Sequence, residues 1–276
     1  MNDGENESKS SDVFGIKPFG EAIKIAAQGM VDGASAVLSR ICLPAAEEFG
    51  LLLRDKVGLW RLTQAAKIIE KADKRLRSQP NFEHKHAHPR LVGAIVENGS
   101  WIDADDVQEM WAGLLASSCT EDGRDESNLM FINLLAQLTS SQARMLNYGC
   151  EHVPRDVVAS GLVVTFEGVY VSRNELEKIS GIDDFVRLDR ELDHLKALGL
   201  LINAMSAEEF IPTRRVINPN GNVVEFIQPK PEDIIPENLK QADLAVTPLG
   251  LQMYVRCQGL NISPAEYFGL EYTERR

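Results

Sequence analysis

Enzyme signatures are missing from this 276-residue chain. It has no GxSxG, no P-loop, no GxGxxG and no HExxH, and His152 and His194 stand without an evident nucleophile, so the sequence points away from catalysis. Positive charge is scarce as well: 29 Lys and Arg face 41 Asp and Glu, giving a net charge of -12 and a pI near 5.0. Counter-ion release from a phosphate backbone therefore cannot drive binding by the chain as a whole. The four cysteines, Cys42, Cys119, Cys150 and Cys257, lie far apart with no CxxC spacing. That pattern argues against a zinc knuckle or a dense disulfide scaffold and predicts reduced, mostly buried thiols. The start, MNDGENESKSSD, has no apolar h-region, which leads to the expectation of a cytoplasmic protein. Long apolar runs are absent too. Gly29 and Gly33 form a GxxxG that permits close helix approach, yet Lys24, Asp32 and Arg40 interrupt the stretch a bilayer span would need.

What is present is helical periodicity. Residues 1–18 are read as a disordered tail, too polar to offset ordering entropy. Phe19, Ile23, Ala26, Met30, Ala34, Leu38 and Ile41 then recur at spacings of three or four, which places them on one helix face. Pro44 suits the first turn of the next helix, and the following proline is Pro80, so a helix of about 35 residues, roughly 50 Å long, is allowed. Its first half is apolar and includes Phe49 and Trp60; its second half sets Ile68, Ile69, Ala72 and Leu76 against Lys67, Lys71, Lys74, Arg75 and Arg77. Between residues 54 and 90 ten bases meet only four acids. This basic segment has three readings: a solvated face paired with the protein's own acids, an anionic lipid surface, or nucleic acid.

Pro89 predicts a helix start, and Asp103, Asp105 and Asp106 announce another that carries Met110, Trp111, Leu114 and Leu115 on its core face. A further helix is expected over 128–138, and Thr139 with Gln142 reads as a capping box for 140–150. Beyond residue 150 the pattern changes. A β-branched run at 162–166, a capping box from Ser172 and Glu175, a helix over 183–198 ending at Gly199, a strand at 200–203, a hairpin around Asn218-Pro219-Asn220-Gly221, a strand at 244–246 and a helix capped by Thr247-Pro248 follow in turn. The expected class is mostly α: a long-helix N-terminal part (19–80), a helical domain (81–150) and an α+β winged-helix-like C-terminal domain (151–276).

Winged helices commonly read DNA with their second helix. Here that helix carries Asp183, Asp184, Asp189, Glu191 and Asp193 against Arg187, Arg190 and Lys196, a balance that repels phosphate, so protein contact is the better expectation. Arg214 and Arg215 beside the hairpin are the residues best placed for the nucleic-acid alternative. His84, His86 and His88 alternate, and an extended backbone would project all three to one side as a weak metal candidate; with no Cys or Asp to complete the sphere, a solvated linker is the competing reading and no cofactor is expected. The turn Glu121–Glu126 lacks the calcium-loop register. A hidden hydrolase would depend on an acid such as Asp103, Asp106 or Glu109, which otherwise serve a helix start.

The block Leu43-Pro44-Ala45-Ala46-Glu47-Glu48-Phe49 through Lys56, the block Val107-Gln108-Glu109-Met110-Trp111-Ala112-Gly113-Leu114-Leu115-Ala116, Phe131-Ile132 and 135–140 together resemble the Abi-alpha family, over about residues 45–250. That resemblance implies a bacterial or phage-encoded abortive-infection defence role and carries no catalytic residues. The expected partners are a second copy of the chain and another protein, met through Phe49, Trp60 and Trp111, with an anionic inner-membrane surface as a further candidate and no small-molecule substrate.

Overall fold

The computed structural model describes residues 17–45, 56–165, 168–202, 216–217, 223–225 and 241–271. Residues 1–16 of the tail expected over 1–18, Phe49, the turn of the hairpin and Arg214 with Arg215 lie outside the described residues, while residues 17–18 begin a helix.

Helix α1 (Lys17–Ile41) buries Val31, Ala34, Leu38 and Ile41, the spacing of three and four that the sequence displayed. It packs on α2 (Lys56–Arg77), which turns Leu62, Ala65, Ala66, Ile69, Ala72 and Leu76 inward. Of the long helix expected over 44–80, residues 46–55 lie outside the described part, and the remainder ends at Arg77. The two helices meet at their C-terminal ends, where Arg40 reaches both Asp73 and the carbonyl of Phe82.

A short strand β1 (His86–Ala87) pairs with β2 (Cys119–Thr120) and brackets two helices. α3 (Pro89–Gly99) begins at the expected proline, with His88 as its cap. α4 (Asp105–Ser117) is capped by the extended backbone of Ala104, two residues inside the Asp103 start read from sequence, and Asp105 and Asp106 occupy its first turn. α5 (Leu129–Leu135) is shorter than the 128–138 expected. Gln137 and Leu138 bond to carbonyls three residues back, so the chain tightens out of α geometry there. α6 (Ser140–His152) carries the Thr139/Gln142 capping box as read.

The C-terminal part adds β3 (Asp156–Val157) paired with β4 (Val163–Val164), then β5 (Val169–Ser172), α7 (Arg173–Ser180) and α8 (Phe185–Ala197). β6 (Leu201–Ile202) follows, then β7 (Val216–Ile217) paired with β8 (Val223–Glu225), and β9 (Gln241–Val246), longer than the 244–246 expected. β5, β9 and β6 form one antiparallel sheet in that order. Its inner face sets Val171, Leu244, Val246 and Leu201 in the core, and Gly149 of α6 lies so close that a Cβ there would stand 3.0 Å from Val246. Thr247 caps α9 (Pro248–Cys257), and α10 (Pro264–Phe268) closes the chain.

α9 connects the two parts. It packs on α4 at Gly113, where an added Cβ would fall 1.7 Å from the Cys257 carbonyl oxygen. One buried cluster accordingly runs from Val31 to Cys257. The architecture is mostly helical with small antiparallel sheets. Among the described residues no helix is long and apolar enough to cross a membrane.

Candidate functional site: a charged seam between α2 and α4

Residues Gln64, Lys67, Lys71 and Arg75 recur every three or four positions, so they share one face of α2, and Gln79 follows just past its end. Asp105 and Glu109 stand one turn apart on α4. The two rows meet. Lys71 Nζ donates to Asp105 Oδ1 at 2.6 Å and to Glu109 Oε1 at 2.7 Å, and Arg75 Nη2 donates to Glu109 Oε2 at 2.7 Å. Arg75 Nη1 reaches on to the Cys257 carbonyl at 2.9 Å, and Gln79 donates to the Gly259 carbonyl at 2.7 Å, which ties the end of α9 to the same row. At the other end Gln108 donates to Gln64 at 2.9 Å, and Lys67 to that same Gln64 oxygen at 3.2 Å.

Burial pushes the Glu109 carboxyl up, but hydrogen bonds from Lys71 and Arg75 outweigh it, so the group ionises below its ordinary range. The Lys71 hydrogen bond and charge lower Asp105 as well. For Lys71 burial acts downward, and its two carboxylate partners carry it above the usual lysine value.

Arg61, Lys74, Arg77 and Arg90 of the basic segment also meet acids of the same chain, whereas Lys67 and Lys85 donate to Gln64 and Gln79. Lys74 pairs with Glu70 at 2.8 Å, and Asp73 is held at 2.7 Å by both Arg40 and Arg77, whose guanidinium groups lie over the Phe82 ring. Asp106 pairs with Arg144 at 3.3 Å, while Asp103 is exposed.

Other sequence-read residues separate. Trp111 is 1% exposed and sits in the core beneath Gly99, with no hydrogen-bond acceptor for its indole N–H among the described residues. Trp60 is 38% exposed, tilted against Trp101 at 6.4 Å, and Arg61 covers the Trp101 ring at 4.3 Å. His86 Nδ1 lies 3.2 Å from the Arg40 carbonyl, His88 accepts from the Arg90 amide, and His84 is exposed, so the three imidazoles do not converge. Among the described residues no group of three His, Cys, Asp or Glu side chains is arranged to hold a metal. Sequence reading treated Glu109 as part of a helix start. It missed that Glu109 is shared by two bases of α2; the usable signal was its i+4 spacing from Asp105, opposite Lys71 and Arg75 at the same spacing.

The family model described as abortive infection alpha matches residues 61–257. The chain belongs to the abortive infection alpha family. No curated protein and no solved structure matches it. The matched span begins at Arg61, so the Leu43–Lys56 block that first carried the likeness lies outside it. All the seam residues, from Gln64 to Cys257, fall within the abortive infection alpha match except Gly259, which lies just beyond it.

Proposed function

We propose that this member of the family acts in abortive infection without chemistry of its own, as a switch working through protein contacts and self-association. The resting state holds the basic face of α2 on α4. An infection signal separates them, and the freed α1–α2 region meets a second copy, another protein or the inner membrane. The observation that carries this reading is the seam itself: Lys71 and Arg75, in the middle of the one strongly basic segment, are paired with Asp105 and Glu109 of the same chain.

The C-terminal part supports a winged-helix assignment used for protein contact. Its order is α6, β5, α7, α8, β6, the β7–β8 hairpin and β9, with β9 between β5 and β6. The exposed positions of α8 include Asp189 and Asp193 alongside Arg187 and Arg190, a mixed surface unlike a groove-reading helix.

The test reverses charge at the seam in the full chain. Cells expressing Glu109→Lys should lose growth without phage, and a Lys71→Glu, Arg75→Glu, Asp105→Lys, Glu109→Lys variant that exchanges the two charge rows should return to silence. Seam reversal that leaves both growth and phage plating unchanged would refute the switch. Membrane permeability and solution mass, measured on the same cells and protein, separate the inner-membrane outcome from self-association. A salt-titrated duplex DNA assay tests the nucleic-acid regulator, which requires Arg214 and Arg215.

A further inference from the structure

A second concavity lies away from the seam, between the end of α6, α9 and α10. It is a shallow, open depression of about 540 Å³, lined by Glu151, Arg155, Tyr254, Tyr267, Phe268 and Leu270. This volume is within the range of small-molecule sites, roughly 300–1,000 Å³.

Its walls are flat and its one cation is fixed. Tyr254 and Phe268 are parallel within 6° at 6.3 Å, and Tyr267 stands edge-on to both. The Arg155 guanidinium lies 3.8 Å from the Phe268 centroid, while Nε donates to the Val153 carbonyl at 3.1 Å and Nη2 to the Glu151 carbonyl at 2.9 Å. These three restraints orient the guanidinium and leave Nη1 without a partner among the described residues. Arg40, Arg61, Lys71, Arg75 and Arg144 are each paired with a carboxylate, whereas among the described residues Arg155 makes only these carbonyl and ring contacts. In a chain of net charge -12, a half-buried arginine braced by backbone carbonyls, with no carboxylate in ion-pair contact among the described residues, is disposed to receive an anion. The exposed Glu151 carboxylate on the rim supplies the complementary feature, an acceptor for N–H groups.

We propose that this cleft binds a free mononucleotide. The flat base stacks on the open face of the guanidinium and beside the half-buried Tyr267, its amino group donates to Glu151, and the phosphate accepts from Arg155 Nη1. A guanidinium plane and an aromatic wall are sequence-tolerant stacking surfaces, so the phosphate provides the anchor and Glu151 the choice of base. Glu151, Arg155 and Tyr254 lie within the family match, whereas Tyr267, Phe268 and Leu270 lie beyond its end at Cys257.

The experiment is calorimetric titration of the full chain with the four ribonucleoside monophosphates, the matching nucleosides, inorganic phosphate and a tetranucleotide. At least one monophosphate should bind saturably with one site, and its nucleoside and phosphate alone at least roughly tenfold more weakly. Arg155→Ala and Arg155→Lys should each lose about tenfold or more, the lysine because a point charge cannot stack. Glu151→Gln, at an exposed position, should change which base is preferred while the melting temperature stays put, so a folding defect cannot mimic the result. No saturable binding of any monophosphate at millimolar concentration, affinity indifferent to Arg155→Ala, or a tetranucleotide that outcompetes the monophosphates would each overturn the proposal.

Discussion

Replacing Gly113 with alanine puts a methyl group where the α4–α9 contact has no room for one. The new Cβ would lie 1.7 Å from the Cys257 carbonyl oxygen, 2.3 Å from its carbon and 2.9 Å from its Cα, all of them backbone atoms that no rotamer change can move. Raising the shortest of these to 3.0 Å requires a retreat of at least 1.3 Å, the difference between the two distances. A retreat of 0.5–1 Å already forfeits about a quarter to a half of the dispersion well for the lining atoms. Overpacking of this kind costs about 1–3 kcal/mol and occasionally more. Displacing the Cys257 carbonyl also strains the Arg75 bond, a charged hydrogen bond of about 1.5–3 kcal/mol. Helix propensity returns at most ~1 kcal/mol to alanine. The net expectation is a loss of about 2–4 kcal/mol, which for a chain of this size lowers the melting temperature by roughly 5–12 °C. Gly33→Ala is the matched control: the glycine is exposed, nothing lies within 4 Å of its added Cβ, and it should gain about 0.5–1 kcal/mol. Thermal and denaturant unfolding followed by far-ultraviolet circular dichroism reads both. If Gly113→Ala melts within about 2 °C of the parent, the α4–α9 contact is not the close backbone approach described here.

Glu109→Gln should flatten the acid limb of the stability curve. A carboxyl whose folded pKa is depressed stabilises fully above its unfolded value, about 4.3, and loses that contribution as pH falls through the folded value. Because the group is partly exposed, solvent screening limits the effect to about 1 kcal/mol, measurable as a smaller loss of stability in the glutamine variant below pH ~4.3. The four buried thiols should react slowly with aromatic disulfide reagents in the native protein and all four at once in denaturant without reductant. Burial pushes Cys119 and Cys257 up to about 12, which leaves almost no thiolate at neutral pH. A native burst of one or more thiols would contradict that placement. Trp111→Phe should cost far less than Trp111→Ala, which loses about 3–5 kcal/mol of buried packing, since phenylalanine removes an indole N–H that has no acceptor among the described residues. Equal costs in chemical unfolding would mean the N–H is satisfied.

Local chemistry was legible in the residues themselves. Thr139 with Gln142, Ser172 before α7, Pro89 and Thr247-Pro248 each fixed a helix start because the capping atom and its target lie within three residues of one another. Elements that depend on distant partners were harder. β5 escaped notice although Val169, Tyr170 and Val171 alternate, since a four-residue strand acquires its identity only from pairing with β9, about seventy residues away. Asp103 looked like a cap, yet the extended backbone of Ala104 takes that place, and the Gln108 side chain binds back to the Ile102 carbonyl ahead of it. The seam was half visible: the basic row of α2 was evident from composition, while its acidic counterpart on α4 was hidden inside what reads as an ordinary acid-rich first turn. The cleft at Arg155 had no linear signature, because Arg155 and Phe268 are brought together by the fold alone.

The burial of α9 against α4 has a bearing on biosynthesis. Gly113 emerges from the ribosome long before Cys257, and during that interval the first half of the protein presents a bare apolar flank that its own later residues must cover. Loop closure over such a distance is slow compared with the growth of a helix, so a nascent chain stalled short of residue 257 would hold α2 and α4 together without the clamp from Arg75 to the Cys257 carbonyl. Interrupted translation, whatever causes it, would thus yield a truncated product whose latch has never been fastened.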